Sequence, residues 1–166
     1  MPRRIAVVLA TVAGLCLVSV APAAAAKRVV IRGGEIFKAG HYVKDNQRFT
    51  PRNTTVRSGE KVTVRDRSTA SAPHTLSIVR KRDLPDSFQC AVCEQLFVAH
   101  EANEETGDVG KPLVNVGDAG FDQPGDSIFV PPGGKVSFRV TADEGTNLNY
   151  LCAIHPWMQG QFEVSP

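Results

Sequence analysis

Short stretches of alternating apolar and polar residues recur along the chain, at 29–36, 54–57, 61–65, 74–79, 127–130, 135–140, 148–152 and 161–164. Gly, Pro and Asp punctuate the joins. Many strands of this length with turn-rich connections predict an all-β protein built as a β-sandwich. Pro131-Pro132-Gly133-Gly134 reads as a turn between two of the strands, and Pro51 stands where a strand start or edge tolerates it. One segment breaks the period of two. Residues 85–102 carry good helix formers with apolar spacings of three and four, and read as one amphipathic helix capped near Asp86 or Ser87.

The first 26 residues follow a different pattern: Arg3 and Arg4 precede an apolar run, and Ala21-Pro22-Ala23-Ala24-Ala25-Ala26 supplies small residues for cleavage. This predicts a secretory signal peptide over 1–26, with Cys16 removed along with it. The apolar run is short and no stop-transfer pattern follows, so no stable membrane insertion is expected. The remaining residues, 27–166, are expected to form a single domain that is exported: periplasmic, cell-surface or extracellular. Removing the two leader arginines takes the formal net charge from +2 to 0, which gives no indication of a nucleic-acid partner. Basic residues crowd the stretch from Lys27 to Arg82 and acids the stretch from Asp83 to Asp126, an asymmetry expected of a solvated surface.

The chemistry concentrates near the C-terminus. Cys152, His155 and Met158 place a thiolate, an imidazole and a thioether at three-residue intervals. Structural zinc sites use Cys and His but almost never Met, whereas two soft sulfur donors with imidazole suit copper. A second imidazole is needed, and the chain has four histidines: His41, His74, His100 and His155. His74 is the best placed, opening the strand-like segment His74-Thr75-Leu76-Ser77-Ile78-Val79 after Pro73. Two imidazoles and a thiolate in one plane, with a long axial Met, make a mononuclear blue-copper electron-transfer centre. His41 and His100 are expected on the surface.

Ala72-Pro73-His74-Thr75-Leu76, taken with Tyr150-Leu151-Cys152-Ala153-Ile154-His155-Pro156-Trp157-Met158, resembles the cupredoxin family, and the short Cys-x-x-His-x-x-Met loop is similar to its amicyanin and plastocyanin-like branch. Phe49-Thr50-Pro51 and the segment from Val56 to Val64 resemble the strand-turn-strand that precedes the first histidine ligand in these proteins. The resemblance implies a Greek-key cupredoxin β-sandwich and one type 1 copper per chain, held by His74, Cys152, His155 and Met158, with the Pro73 carbonyl approaching from the second axial side. It implies single-electron transport rather than enzyme catalysis, with His155 as the electron gate and redox protein partners docking near His155 and Trp157. Set beside cupredoxins, the stretch 81–123, with its helix at about 83–105, is an insertion.

The insertion carries Cys90 and Cys93, and two thiols so close in an exported protein are expected to form a disulfide. A short loop of this kind contributes little stability, which keeps open a second metal site made by Cys90, Cys93 and His100. Haem attachment is excluded because Glu94 stands where that motif needs His. A copper enzyme needs paired His-x-His motifs, and none occurs. A dinuclear copper centre needs two cysteines in the C-terminal loop, which has only Cys152. Copper delivery or sensing is the alternative function, although Met1 and Met158 are the only methionines available to hold copper loosely.

Overall fold

The computed structural model describes residues 26–103 and 105–166. The expected leader lies outside these residues but for Ala26, and Cys16 with it. The elements in order are β1 (Lys27–Arg32), β2 (Glu35–Lys38), β3 (Tyr42–Asp45), β4 (Arg48–Thr50), β5 (Asn53–Arg57), β6 (Lys61–Asp66) and β7 (His74–Val79). A 3-10 turn (Lys81–Asp83) and helix α1 (Ala91–Ala99) follow. The chain then returns to strands with β8 (Leu113–Val114), β9 (Ser127–Val130), β10 (Lys135–Arg139), β11 (Asn147–Leu151) and β12 (Gln159–Ser165).

Two sheets form a sandwich. One runs β10-β6-β1-β4, the other β5-β12-β11-β7-β9-β8, and β2 and β3 pair as a separate hairpin. The β1–β6 and β5–β12 pairs are parallel and the remainder antiparallel. Alternation does the expected work: Val62 and Val64 of β6 and Thr54 and Val56 of β5 point inward while their neighbours face solvent. The filling between the sheets includes Val29, Ile31, Leu76, Ile78, Ile128, Tyr150, Phe162 and Val164. Its aromatic members interlock: Phe121 stacks on Phe138 at 4.1 Å, Tyr150 lies 4.6 Å from Phe162, and Phe49 meets Tyr150 edge-on at 5.1 Å. The Tyr150 hydroxyl donates to the Arg52 carbonyl at 2.9 Å. Gly160 is required where it stands, because a Cβ there would collide with the Arg52 carbonyl and the Tyr150 ring.

Strand β7 departs from half-buried alternation, since all six of its residues are buried. Leu76 and Ile78 face the sandwich core, while Val79, with Leu151 and Ala153 beyond it, packs against Cys93 and Leu96 of the insertion. The insertion therefore roofs the outer face of the second sheet and gives the protein a second, smaller interior. Cys93 and Leu96 are the two residues that α1 buries there.

Several sequence expectations are corrected. The stretch 29–36 is two strands, broken where Gly33 takes φ 99° and a Cβ would meet Asn46. β3, β4 and β8 are too short to show a period. Helix α1 starts at Ala91, with Cys90 as its N-cap, rather than near Asp86 or Ser87; Pro85 to Gln89 is irregular chain that crosses toward the C-terminal loop. Residues 105–123 are a loop except for the two residues of β8.

Candidate metal centre

β7 and β11 are hydrogen-bonded neighbours, with Leu151 opposite Ser77. His74 opens β7 and Cys152 follows β11, so adjacent strands deliver the imidazole and the thiol to one end of the sandwich. The chain after Cys152 then turns back on itself. The Cys152 N–H donates to the Met158 carbonyl at 3.0 Å and the Met158 N–H to the His155 carbonyl at 2.8 Å, a compact loop that leads into β12. This loop returns His155 to the sulfur and buries Met158 in the core beside Cys152.

The donor atoms converge. Cys152 Sγ lies 3.6 Å from His155 Nδ1 and 3.9 Å from His74 Nδ1, and the three donor atoms all lie within 4.8 Å of one another. A sulfur at about 2.3 Å and a nitrogen at about 2.0 Å from one metal, set 120° apart, are separated by roughly 3.7 Å. The two sulfur–nitrogen distances bracket that value, so each imidazole already stands from the sulfur at the spacing a trigonal metal needs. The two imidazole centroids are 4.8 Å apart.

Outer contacts fix which nitrogen faces the sulfur. His74 Nε2 lies 3.5 Å from Ser68 Oγ and 3.9 Å from the buried Asp66 carboxylate, leaving Nδ1 free to point inward. Asp66 is itself held by the N–H groups of Ser68 and Gly133, both at 2.8 Å. The Thr75 N–H donates to Cys152 Sγ at 3.3 Å, and the Ala153 N–H to Thr75 Oγ1 at 2.7 Å. Thr75 thus binds the cysteine strand from both its backbone and its hydroxyl. Sequence spacing gave no sign of Thr75, Ser68 or Asp66; the one available signal was the position of Thr75 directly after His74.

Burial shapes the charges. It pushes the Cys152 thiol up, against the opposing pull of hydrogen bonds from Thr75, His155 and Ile154. It holds His74 down to about 4, with nearby His155 adding to the effect and Asp66 and Asp45 opposing it. His155 is lowered by burial as well, against Asp45 and Glu35. Neutral imidazoles are already in the form that binds a metal, and a bound cation offsets the cost of a buried thiolate. Two imidazoles, a thiolate and a buried thioether form a donor set that suits copper.

His155 is 7% exposed, and Trp157 beside it, at 5.2 Å between centroids, is 38% exposed. Phe88 of the insertion reaches Trp157 edge-on at 5.5 Å, and Gln159 Nε2 donates to the Pro85 carbonyl at 2.7 Å. The insertion is thereby tied to the edge of the site.

The solved structures to which the fold is similar are cupredoxins. The chain's fold is similar to that of the purple cupredoxin from Nitrosopumilus maritimus, at 16% identity over 84% of this chain and 99% of that one, with a TM-score of 0.46. It is similar also to an auracyanin from Roseiflexus castenholzii (19% identity, 86% and 99% covered, TM-score 0.44) and to plastocyanin from Dryopteris crassirhizoma (18%, 82% and 98%, TM-score 0.38). No family model and no curated protein matches the sequence. These overlaps are loose, and the copper reading rests on the donor atoms.

The other sequence candidates are placed as follows. Cys90 and Cys93 form a disulfide with Cα atoms 5.3 Å apart, so their thiols are not free to hold a metal. His100, expected on the surface, is 1% exposed; its ring points away from that bridge toward β9 and Lys111, as the end of α1 turns into the roof. His41 is exposed on the β2–β3 turn. Among the described residues no helix is long and apolar enough to cross a membrane.

Proposed function

We propose that this chain is an exported carrier of single electrons, in which His74, Cys152, His155 and Met158 hold one type 1 copper. The observation that carries this reading is the convergence of His74 Nδ1, His155 Nδ1 and Cys152 Sγ, buried and all within 4.8 Å of one another. Copper bound there supplies reversible one-electron chemistry and, through its thiolate bond, an intense visible band. The protein contributes rigidity. His74 is locked from behind by Ser68 and Asp66, Cys152 by the Thr75 N–H, and the return loop by its own backbone bonds, so little has to move when an electron arrives or leaves.

Electrons enter and leave at His155, the ligand nearest the surface, across a face formed by Trp157 and Phe88. Exposed aromatic area beside a shielded redox centre suits a partner redox protein that docks briefly through a small contact. The Cys90–Cys93 bridge supports export, because reducing compartments keep such pairs open. Turnover of a substrate finds no support: the chain's remaining histidines, His41 and His100, lie apart, one exposed and one within the roof.

The test is a visible absorption and spin-resonance spectrum of the mature protein after addition of Cu(II), beside a Cys152→Ser variant. A strong band in the wild type that is lost in the variant is the expected result. A colourless wild type, or a band that survives the loss of Cys152, overturns the reading.

A further inference from the structure

A run of buried polar groups joins the insertion to the cysteine strand. At one end the Lys111 carbonyl lies 2.5 Å from His100 Nδ1, and His100 Nε2 lies 2.6 Å from Ser127 Oγ. Ser127 Oγ is 2.6 Å from Ser77 Oγ, and Ser77 Oγ lies 3.0 Å from Thr75 Oγ1. Thr75 Oγ1 in turn accepts the Ala153 N–H, and the Thr75 N–H donates to Cys152 Sγ. His100, Ser127, Ser77 and Thr75 are all buried. These groups sit on the outward face of β7 and β9, beneath the insertion.

The members cannot act independently, because each hydroxyl has one proton to give. With Ser77 donating to Thr75, Ser127 supplies the proton between the two serines and His100 Nε2–H the next one. The Lys111 carbonyl can only accept, so that direction needs a proton on Nδ1 as well and a doubly protonated ring; the neutral ring, protonated at Nδ1 alone, turns the hydroxyls the other way and makes Thr75 the donor to Ser77. What stands at position 100 therefore sets the direction of the whole run and the lone pairs that Thr75 offers to Ala153.

We propose that His100 is a positioning residue for the Cys152 thiolate, acting through Ser127, Ser77 and Thr75. The insertion is then part of the machinery that orients the sulfur. The consequence for copper rests on the electron-carrier reading above; the positioning itself does not.

The experiment measures backbone amide hydrogen exchange in the copper-free protein for wild type, His100→Phe, His100→Gln and Ser127→Ala. It also records the visible band and reduction potential of the copper-loaded forms. Losing one link is expected to speed exchange at Ala153 and Thr75 by about tenfold in His100→Phe and Ser127→Ala, with Val62 and Val64 in the opposite sheet unchanged. The band and potential shift in the same two variants, and His100→Gln, which still donates and accepts, returns all the readouts toward wild type. Ser127→Ala decides the matter if His100→Phe does not fold. Wild-type exchange at Ala153 and Thr75, equal acceleration at Val62 and Val64, or an unmoved band overturns the proposal. A wild type that gives no copper band sinks the carrier reading alone, and exchange in the metal-free protein then decides the positioning.

Discussion

The C-terminal loop and the insertion hold their functional side chains in opposite ways. From Cys152 to Met158 the chain closes on itself through two backbone bonds, and three of the four proposed ligands are spaced by that turn. The insertion has no such local code. His100 is placed by Lys111, eleven residues on, and by Ser127, twenty-seven residues on, while Pro85 is anchored to Gln159 across the molecule. A short loop writes its geometry into its spacing, whereas a roof writes it into contacts with whatever it covers.

The largest expected effect tests the roof. Asp126 is fully buried and accepts the N–H groups of Val116 at 2.8 Å, Asp122 at 2.9 Å and Gln123 at 3.0 Å, with the Asn115 amide at 3.2 Å. Replacing Asp126 with Ala leaves four part-buried donors without their shared acceptor and is expected to cost on the order of 4 kcal/mol in urea unfolding of the copper-free protein. Copper binding should nevertheless survive in the protein that stays folded, since no atom of the return loop is touched. Loss of binding there would break the contrast between a self-contained loop and a contact-built roof.

Acid tests both regions together. His74, lowered to about 4, and His155 and His100, also lowered, are neutral imidazoles held by burial. Unfolded histidine titrates near 6.5, so between the two values the unfolded chain binds more protons than the folded one. Stability therefore rises with pH across that window and is lost as pH falls from about 6.5 toward 4. The His74 contribution alone is about 2 kcal/mol between pH 7 and pH 4.5, measurable by urea unfolding of the copper-free protein at those two values. A flat profile would mean that these rings are not held neutral, and a drop that persists in His74→Asn would move its source to the other two.

The same contrast explains what could be read before folding. Cys152, His155 and Met158 announced themselves because a metal loop imposes spacing on neighbouring residues, and His74 because it opens an alternating strand. The strands of the two sheets were legible where they are long enough to show a period, as in β6 and β12. His100 was misplaced because a histidine near the end of a helix carries no mark of what the helix covers. Ser77 and Ser127 look like the polar half of ordinary strands until the insertion closes over them. Thr75 gained its role only when β7 and β11 paired and put it against Ala153.

The smallest expected effect concerns the bridge. Cys90 and Cys93 enclose so few residues that tying them together restricts the unfolded chain only slightly, a contribution of about 2 kcal/mol at most by loop entropy. The pair also packs with Leu84, Leu96 and Leu151, so serine at both positions loses some apolar contact as well. If the bridge mainly fastens the start of α1, the Cys90→Ser, Cys93→Ser double variant should unfold slightly earlier in urea while keeping its copper band and potential. His100 lies at the far end of α1, held by its own partners, and insulates the sulfur from such a change. A potential that moved with the bridge, at unchanged stability, would show instead that the roof passes strain from its first turn to Cys152, through Leu151 and Ala153, which pack in the same cluster.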